Sequence, residues 1–218
     1  MERRSGARWA VPAVLLFFSA IPVGVSLVRL VQIPAGALPA DALYFAVVPV
    51  WHFAHALAGA TFGILGPLQF GRVLAGRYGR LHRVLGRVFV AAGALLSVSS
   101  LRLLWQFPGS STWVLDGARL VTGIAVGALL WIAVRAIRQG DQRAHRAWMI
   151  RAYAIGMGAA TVSLLFFPIF ILTGEAPAGY AADLIFVLSW VINIFVGEWV
   201  IRRATTSGRA RRGNQMPA

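Results

Sequence analysis

Cysteine is absent, which excludes disulfides, thiolate metal sites and thiol catalysis and leaves the redox compartment unread. Lysine is absent too: all 21 basic residues are Arg, set against 7 acidic ones, for a net charge of +14. Charged residues of either sign make up only 13% of the chain, whereas apolar residues make up 58% and the mean hydropathy is +0.71. That balance is far from the one a water-soluble domain needs. A Walker loop, a dinucleotide fingerprint, a nucleophile elbow and a zinc-protease motif are also missing, so soluble-cofactor catalysis is not expected and no catalytic residue is identified.

What is present comes in blocks. Long apolar runs cover residues 10–31, 44–70, 84–105, 114–137, 149–173 and 181–201, each close to the roughly 20 residues that cross about 30 Å of hydrocarbon. The expected fold class is therefore an all-α membrane protein, a bundle of six transmembrane helices over residues 10–203. The first run is longer than the 7–15 apolar residues of a signal peptide and is read as the first span.

A pI near 11.9 would suit nucleic-acid binding only if the Arg residues formed one water-exposed patch. Instead they gather between the apolar runs, at Arg3 to Arg8, Arg72 to Arg87, Arg135 to Arg151 and Arg202 to Arg212, leaving only Arg29, Arg102 and Arg119 elsewhere. The positive-inside rule places those clusters in the cytoplasm. The expected topology has both termini cytoplasmic, residues 1–9 forming a short N-terminal segment. Residues 204–218, rich in Arg and without periodicity, are expected to form a disordered tail near anionic lipid headgroups. The bilayer and those headgroups are the expected partners, and nucleic acid is not.

One internal similarity stands out. Arg80-Leu-His82-Arg83 with Arg87 resembles Arg143-Ala-His145-Arg146 with Arg151, so spans three and four read as a divergent parallel copy of spans five and six.

Small residues at helical spacing mark the faces on which membrane helices approach one another. Gly59 and Gly63 continue back to His55 and His52, which puts both imidazoles on an inward face in the outer half of the membrane. Gly123 and Gly127 continue back to Arg119, an inward cation whose partners would be Asp116, His52 and His55. These four residues form an expected ligand pocket; Arg119 snorkelling to the interface beside Asp116 is the structural alternative. His82 shares a stripe with Gly86, Gly93 and Ser97, and His145 shares one with Ala152, Gly156 and Ser163. Two imidazoles at one depth on parallel helices are what a bis-imidazole haem b requires. An interfacial His among Arg residues is the simpler reading of each. Glu198 is paired with Arg202 by i, i+4 spacing. No metal site is expected, since a His pair at i, i+3 alone does not make one.

The run His82-Arg83-Val-Leu-Gly86-Arg87 is similar to a segment of membrane dihaem b-type cytochromes. More of the chain resembles a bacterial membrane family: His52-Phe-Ala-His55 through Gly66-Pro67-Leu-Gln69-Phe70, then Leu81-His82-Arg83 through Gly86-Arg87, then His145-Arg146-Ala-Trp148-Met149-Ile150-Arg151, with Glu198-Trp199 closing. The family is the one catalogued as domain of unknown function 2306, and the resemblance implies a multi-pass bacterial inner-membrane protein whose activity is open. Three readings follow: a redox protein holding haem b between His82 and His145 and exchanging electrons with quinone, a small-solute carrier of an anion or coupled to protons, or a structural membrane protein without catalysis.

Overall fold

The computed structural model describes residues 3–70, 78–107 and 111–213. Arg72 and Arg77 of the expected cytoplasmic cluster lie outside them. Helices account for almost all of the described chain: α1 (Arg3–Ala35), α2 (Pro49–Gln69), α3 (Gly79–Gln106), α4 (Trp113–Arg138), α5 (Gln142–Gly156), α6 (Gly158–Thr173) and α7 (Gly179–Gly213), with a 3-10 turn at Ala40–Ala46. No strand occurs among the described residues.

Four helical segments, Trp9–Ala35, Gly79–Gln106, Trp113–Arg138 and Gly179–Ala204, are long and apolar enough to cross a membrane, and the bent pair α5 and α6 makes a fifth if counted as one span. The 21-residue α2 is not among them, because His52 and His55 dilute its apolar content. Outward-facing residues confirm the solvent: Phe17, Trp105, Trp113, Leu172 and Phe195 are all more than 70% exposed, a surface that water would not tolerate on a soluble domain.

Local sequence explains most helix ends. Pro49 occupies the first turn of α2, where its missing N–H costs nothing. The run of apolar residues from 44 therefore starts as a 3-10 turn and becomes α-helical only at Pro49. Thr112 caps α4 by accepting from the Leu115 N–H at 3.3 Å, and Asp141 caps α5 by accepting from the Ala144 N–H at 2.9 Å, each satisfying one otherwise orphaned donor. Gly140, at φ +82, makes the tight link between α4 and α5 that a side chain would strain.

The fifth apolar block is not one straight helix. It breaks at Met157, and the two halves meet at 40°. The flanking glycines are the reason: Phe62 packs against Gly156 and the Trp190 indole against Gly158, so closely that neither site has room for a Cβ. The break also changes the face that follows. Ser163, expected on the His145 stripe, is on α6 with its hydroxyl bonded to Ala159 O and exposed. Likewise α7 continues helically to Gly213, past the apolar block and into the Arg-rich residues read from sequence as an aperiodic tail; Ala and Arg are strong helix formers.

The helices pack as a closed ring in the order α1, α2, α3, α4, α5, α7, α6 and back to α1. Small residues make the seams. Gly63 meets Val23 and Ser19 of α1, Gly123 meets Leu101 of α3, and Gly197 meets Ala154 of α5. Hydroxyls add cross-helix bonds, Ser19 to Gly63 O at 3.2 Å and Ser97 to Gly123 O at 2.6 Å. The core lies between α2, α3, α4 and α5 around Phe62, Phe89, Leu130 and Tyr153.

Candidate functional site

Polar groups inside a hydrocarbon-embedded bundle are costly and are the natural candidates for function. In this bundle they fall into two layers at opposite ends of α2, with an aromatic layer between.

The first layer belongs to the start of α2. His52 is buried at 7% exposure, ringed by Phe45 at 4.6 Å, Phe107 at 5.7 Å and Tyr44 at 5.8 Å between ring centroids, and its Nε2 has no partner. One turn on, His55 Nδ1 lies 3.1 Å from Ser99 Oγ on α3. The Ser99 hydroxyl donates to Leu96 O, so the imidazole is the donor and its Nε2 is left to accept. Arg29 of α1 stacks its guanidinium over Phe45 at 4.8 Å and donates to Gln32.

The middle layer is a stack. The rings of Phe62 and Phe89 are 4.5 Å apart and those of Phe62 and Tyr153 are 5.7 Å apart. Phe62 and Phe89 are essentially inaccessible. The stack is possible because Gly66, Gly93 and Gly156 bring backbone against these rings.

The last layer is at the Arg-rich end. His145 donates Nδ1–H to Ala133 O of α4 at 2.8 Å, which fixes its tautomer and frees Nε2. His82, on α3, has its Nδ1 buried without a partner. Gln69, at the end of α2, has its side chain against Gly86, one turn along α3 from His82. Gln69 Nε2 and Tyr153 Oη are also buried and unpartnered. Three orphaned polar atoms, on His82, Gln69 and Tyr153, thus lie toward this end of the bundle.

The other sequence-derived candidates sit apart. Arg119 donates to Ser111 Oγ at 2.9 Å, lies 3.7 Å from Asp116 and stacks over Phe186 of α7 at 5.8 Å. Asp116 also accepts from Ser111. With its side chain 37% exposed, Arg119 belongs to a rim network, and no contact among the described residues joins it to His52 or His55. Glu198 reaches across to α5, taking a two-pronged pairing from Arg151 with Nε–Oε1 at 2.5 Å and Nη2–Oε2 at 3.0 Å. The same guanidinium stacks on Trp148 at 4.5 Å. No group of three or more metal-ligating side chains occurs among the described residues.

A haem between His82 and His145 would need each imidazole to hold its distal N–H on an acceptor. His145 meets that requirement through Ala133 O, whereas His82 Nδ1 has no acceptor. Further along the two helices Phe89 and Tyr153 pack with Phe70, the last two 5.1 Å apart. The residues present do not fit the group.

Sequence reasoning missed Ser99, Gln69, Tyr153 and the Phe62–Phe89 stack. The signal available was positional: Gly66, Gly93 and Gly156 each mark where a ring is received.

Fold and site together define a polytopic α-helical membrane protein. The chain belongs to the family described as Predicted membrane protein (DUF2306), whose model matches residues 52–201. Neither the curated proteins nor the solved structures give a match.

Proposed function

We propose that this protein crosses a bacterial inner membrane six times, with both termini in the cytoplasm, and acts as a proton-coupled carrier of a small solute. The observation that carries the reading is the layering: His52 and His55 at the start of α2, His82 and His145 at the Arg-rich end of the bundle, and an aromatic stack between them. His52 and His55 form the outer vestibule, Gln69, His82, His145 and Tyr153 the inner one, and the Phe62–Phe89–Tyr153 layer the barrier between them. Histidine is suited to loading and releasing a proton in the physiological range. Orphaned donors and acceptors beside it suit a transient polar ligand, because an unsatisfied polar group in hydrocarbon is costly.

The break at Met157 supplies the moving part. Broken helices recur at transport sites, and here Gly156, at the break, touches Phe62 of the barrier. Bending at Met157 would move that contact and open the stack. In this reading α2 is a span that tolerates two histidines because they face other helices rather than lipid, and Arg119 with Asp116 is rim structure.

Topology is checked by reporter fusions after Gly140 and after Ala218, both of which should read as cytoplasmic; an external signal at either overturns the six-span assignment. Transport is checked in proteoliposomes carrying an internal pH dye, challenged in turn with inorganic phosphate, small carboxylates and amino acids. At least one challenge should acidify or alkalise the lumen faster than in empty liposomes. His82→Ala and His145→Ala should slow that response severalfold while Arg119→Gln leaves it unchanged. A wild-type response equal to that of empty liposomes for every challenge removes the carrier reading.

A further inference from the structure

On the lipid-facing side of the α4–α5 link, away from the layered interior, a groove of about 380 Å³ is walled by Trp131, Arg135, Gln139, Ala144 and Trp148. A smaller groove of about 150 Å³ adjoins it along Trp131, Arg135 and Gln139 and adds Arg138. We propose that this surface holds one anionic phospholipid, its phosphodiester on Arg135 and Arg138 and its acyl chains along Trp131 and Ile132.

The chemistry of the walls carries the argument. Arg135 and Arg138 lie one turn apart on α4, both exposed, and neither makes an ion pair or side-chain hydrogen bond among the described residues. Gln139 adds an amide donor at the same level. The acid lining the groove, Asp141, is already turned to the α5 N-terminus, where its Oδ1 accepts the Ala144 N–H; its charge is thereby partly offset by the helix dipole. Arg151, behind the far wall on the ring of Trp148, is already paired with Glu198, so Arg135 and Arg138 are the cations the groove offers. Below the charges the surface turns apolar at once: Trp131 is 67% exposed and Ile132 37%. A water-soluble phosphate would use the arginines and leave this apolar wall unused. A phospholipid uses both, and basic pockets at the cytoplasmic ends of helices are where anionic lipids are recognised. The site rests on the proposed orientation but not on the carrier reading.

Native mass spectrometry of the full-length protein, released from detergent after incubation with phosphatidylglycerol or phosphatidylcholine, tests it. The wild type should retain phosphatidylglycerol in preference to phosphatidylcholine. Removing one arginine should weaken that retention about fivefold and removing both, in the Arg135→Gln, Arg138→Gln variant, about twenty-five-fold. The equally charge-reducing Arg83→Gln, Arg87→Gln variant on α3 should retain the lipid. An equal loss in both double variants would show diffuse attraction rather than a site, and undiminished retention without Arg135 and Arg138 would place the lipid elsewhere; either result overturns the proposal.

Discussion

Phe89→Ala should lower stability by about 2–3 kcal/mol and the midpoint of thermal unfolding in detergent by about 5–10 °C. Phe89 is 0% exposed and stacked on Phe62 at 4.5 Å. In a soluble core the loss would be about 3–5 kcal/mol, because transfer from water adds to the penalty of the empty space. Here the disassembled helices stay in hydrocarbon as apolar as the core itself, so the transfer part falls away. What remains is the cavity, roughly 100 Å³ at about 24 cal/mol per Å³. Gly93 and Gly156 carry no side chain that could lean in to fill it. A drop below about 1 kcal/mol, measured by thermal or denaturant unfolding in the same micelle, would mean that the stack rearranges freely and is no barrier.

The second large effect concerns Arg151 and Glu198. Arg151→Met and Glu198→Met should each destabilise by about 1–2 kcal/mol, and the double variant by clearly less than the two together. A fully buried two-pronged pair that loses one partner costs more, about 3–5 kcal/mol. These side chains are 28% and 34% exposed, so solvent screens part of the charge left behind. Arg151 also has the Trp148 ring to rest on, which makes Glu198→Met the milder of the two. Additive losses in the double-variant cycle would show that the two side chains contribute separately and that the link between α5 and α7 lies elsewhere.

Much of the architecture was legible because a bilayer imposes a simple rule: apolar length and Arg placement show where helices are. Most of each apolar run lies in described helix, though the second begins as a 3-10 turn and the fifth breaks at Met157. The break at Met157 was not legible, since Gly-Met-Gly inside an apolar run is common in membrane helices; only the rings of Phe62 and Trp190 make it a bend. The site was legible in part. Histidines announce themselves in an apolar sequence, and all four were singled out, but their partners are ordinary residues, Ser99, a backbone carbonyl at Ala133 and the aromatic rings around His52. Periodicity within one helix cannot choose among neighbours supplied by others. The same limit applies to Glu198, whose i, i+4 neighbour Arg202 was visible in sequence while its cross-helix partner Arg151, 47 positions away, was not.

The ring order bears on how the protein is made. Synthesis runs from the N-terminus, so α1 and α2 can pair as soon as both have left the ribosome. The other flank of α1, however, packs on α6, which begins only at Gly158. For most of translation that flank has nothing but lipid beside it, and because α7 stands between α5 and α6, the ring closes only when Gly179–Gly213 is also in place. Assembly of this bundle is therefore governed by a single late encounter between its oldest helix and one of its youngest, and the nascent chain is most exposed to wrong partners in the interval before it.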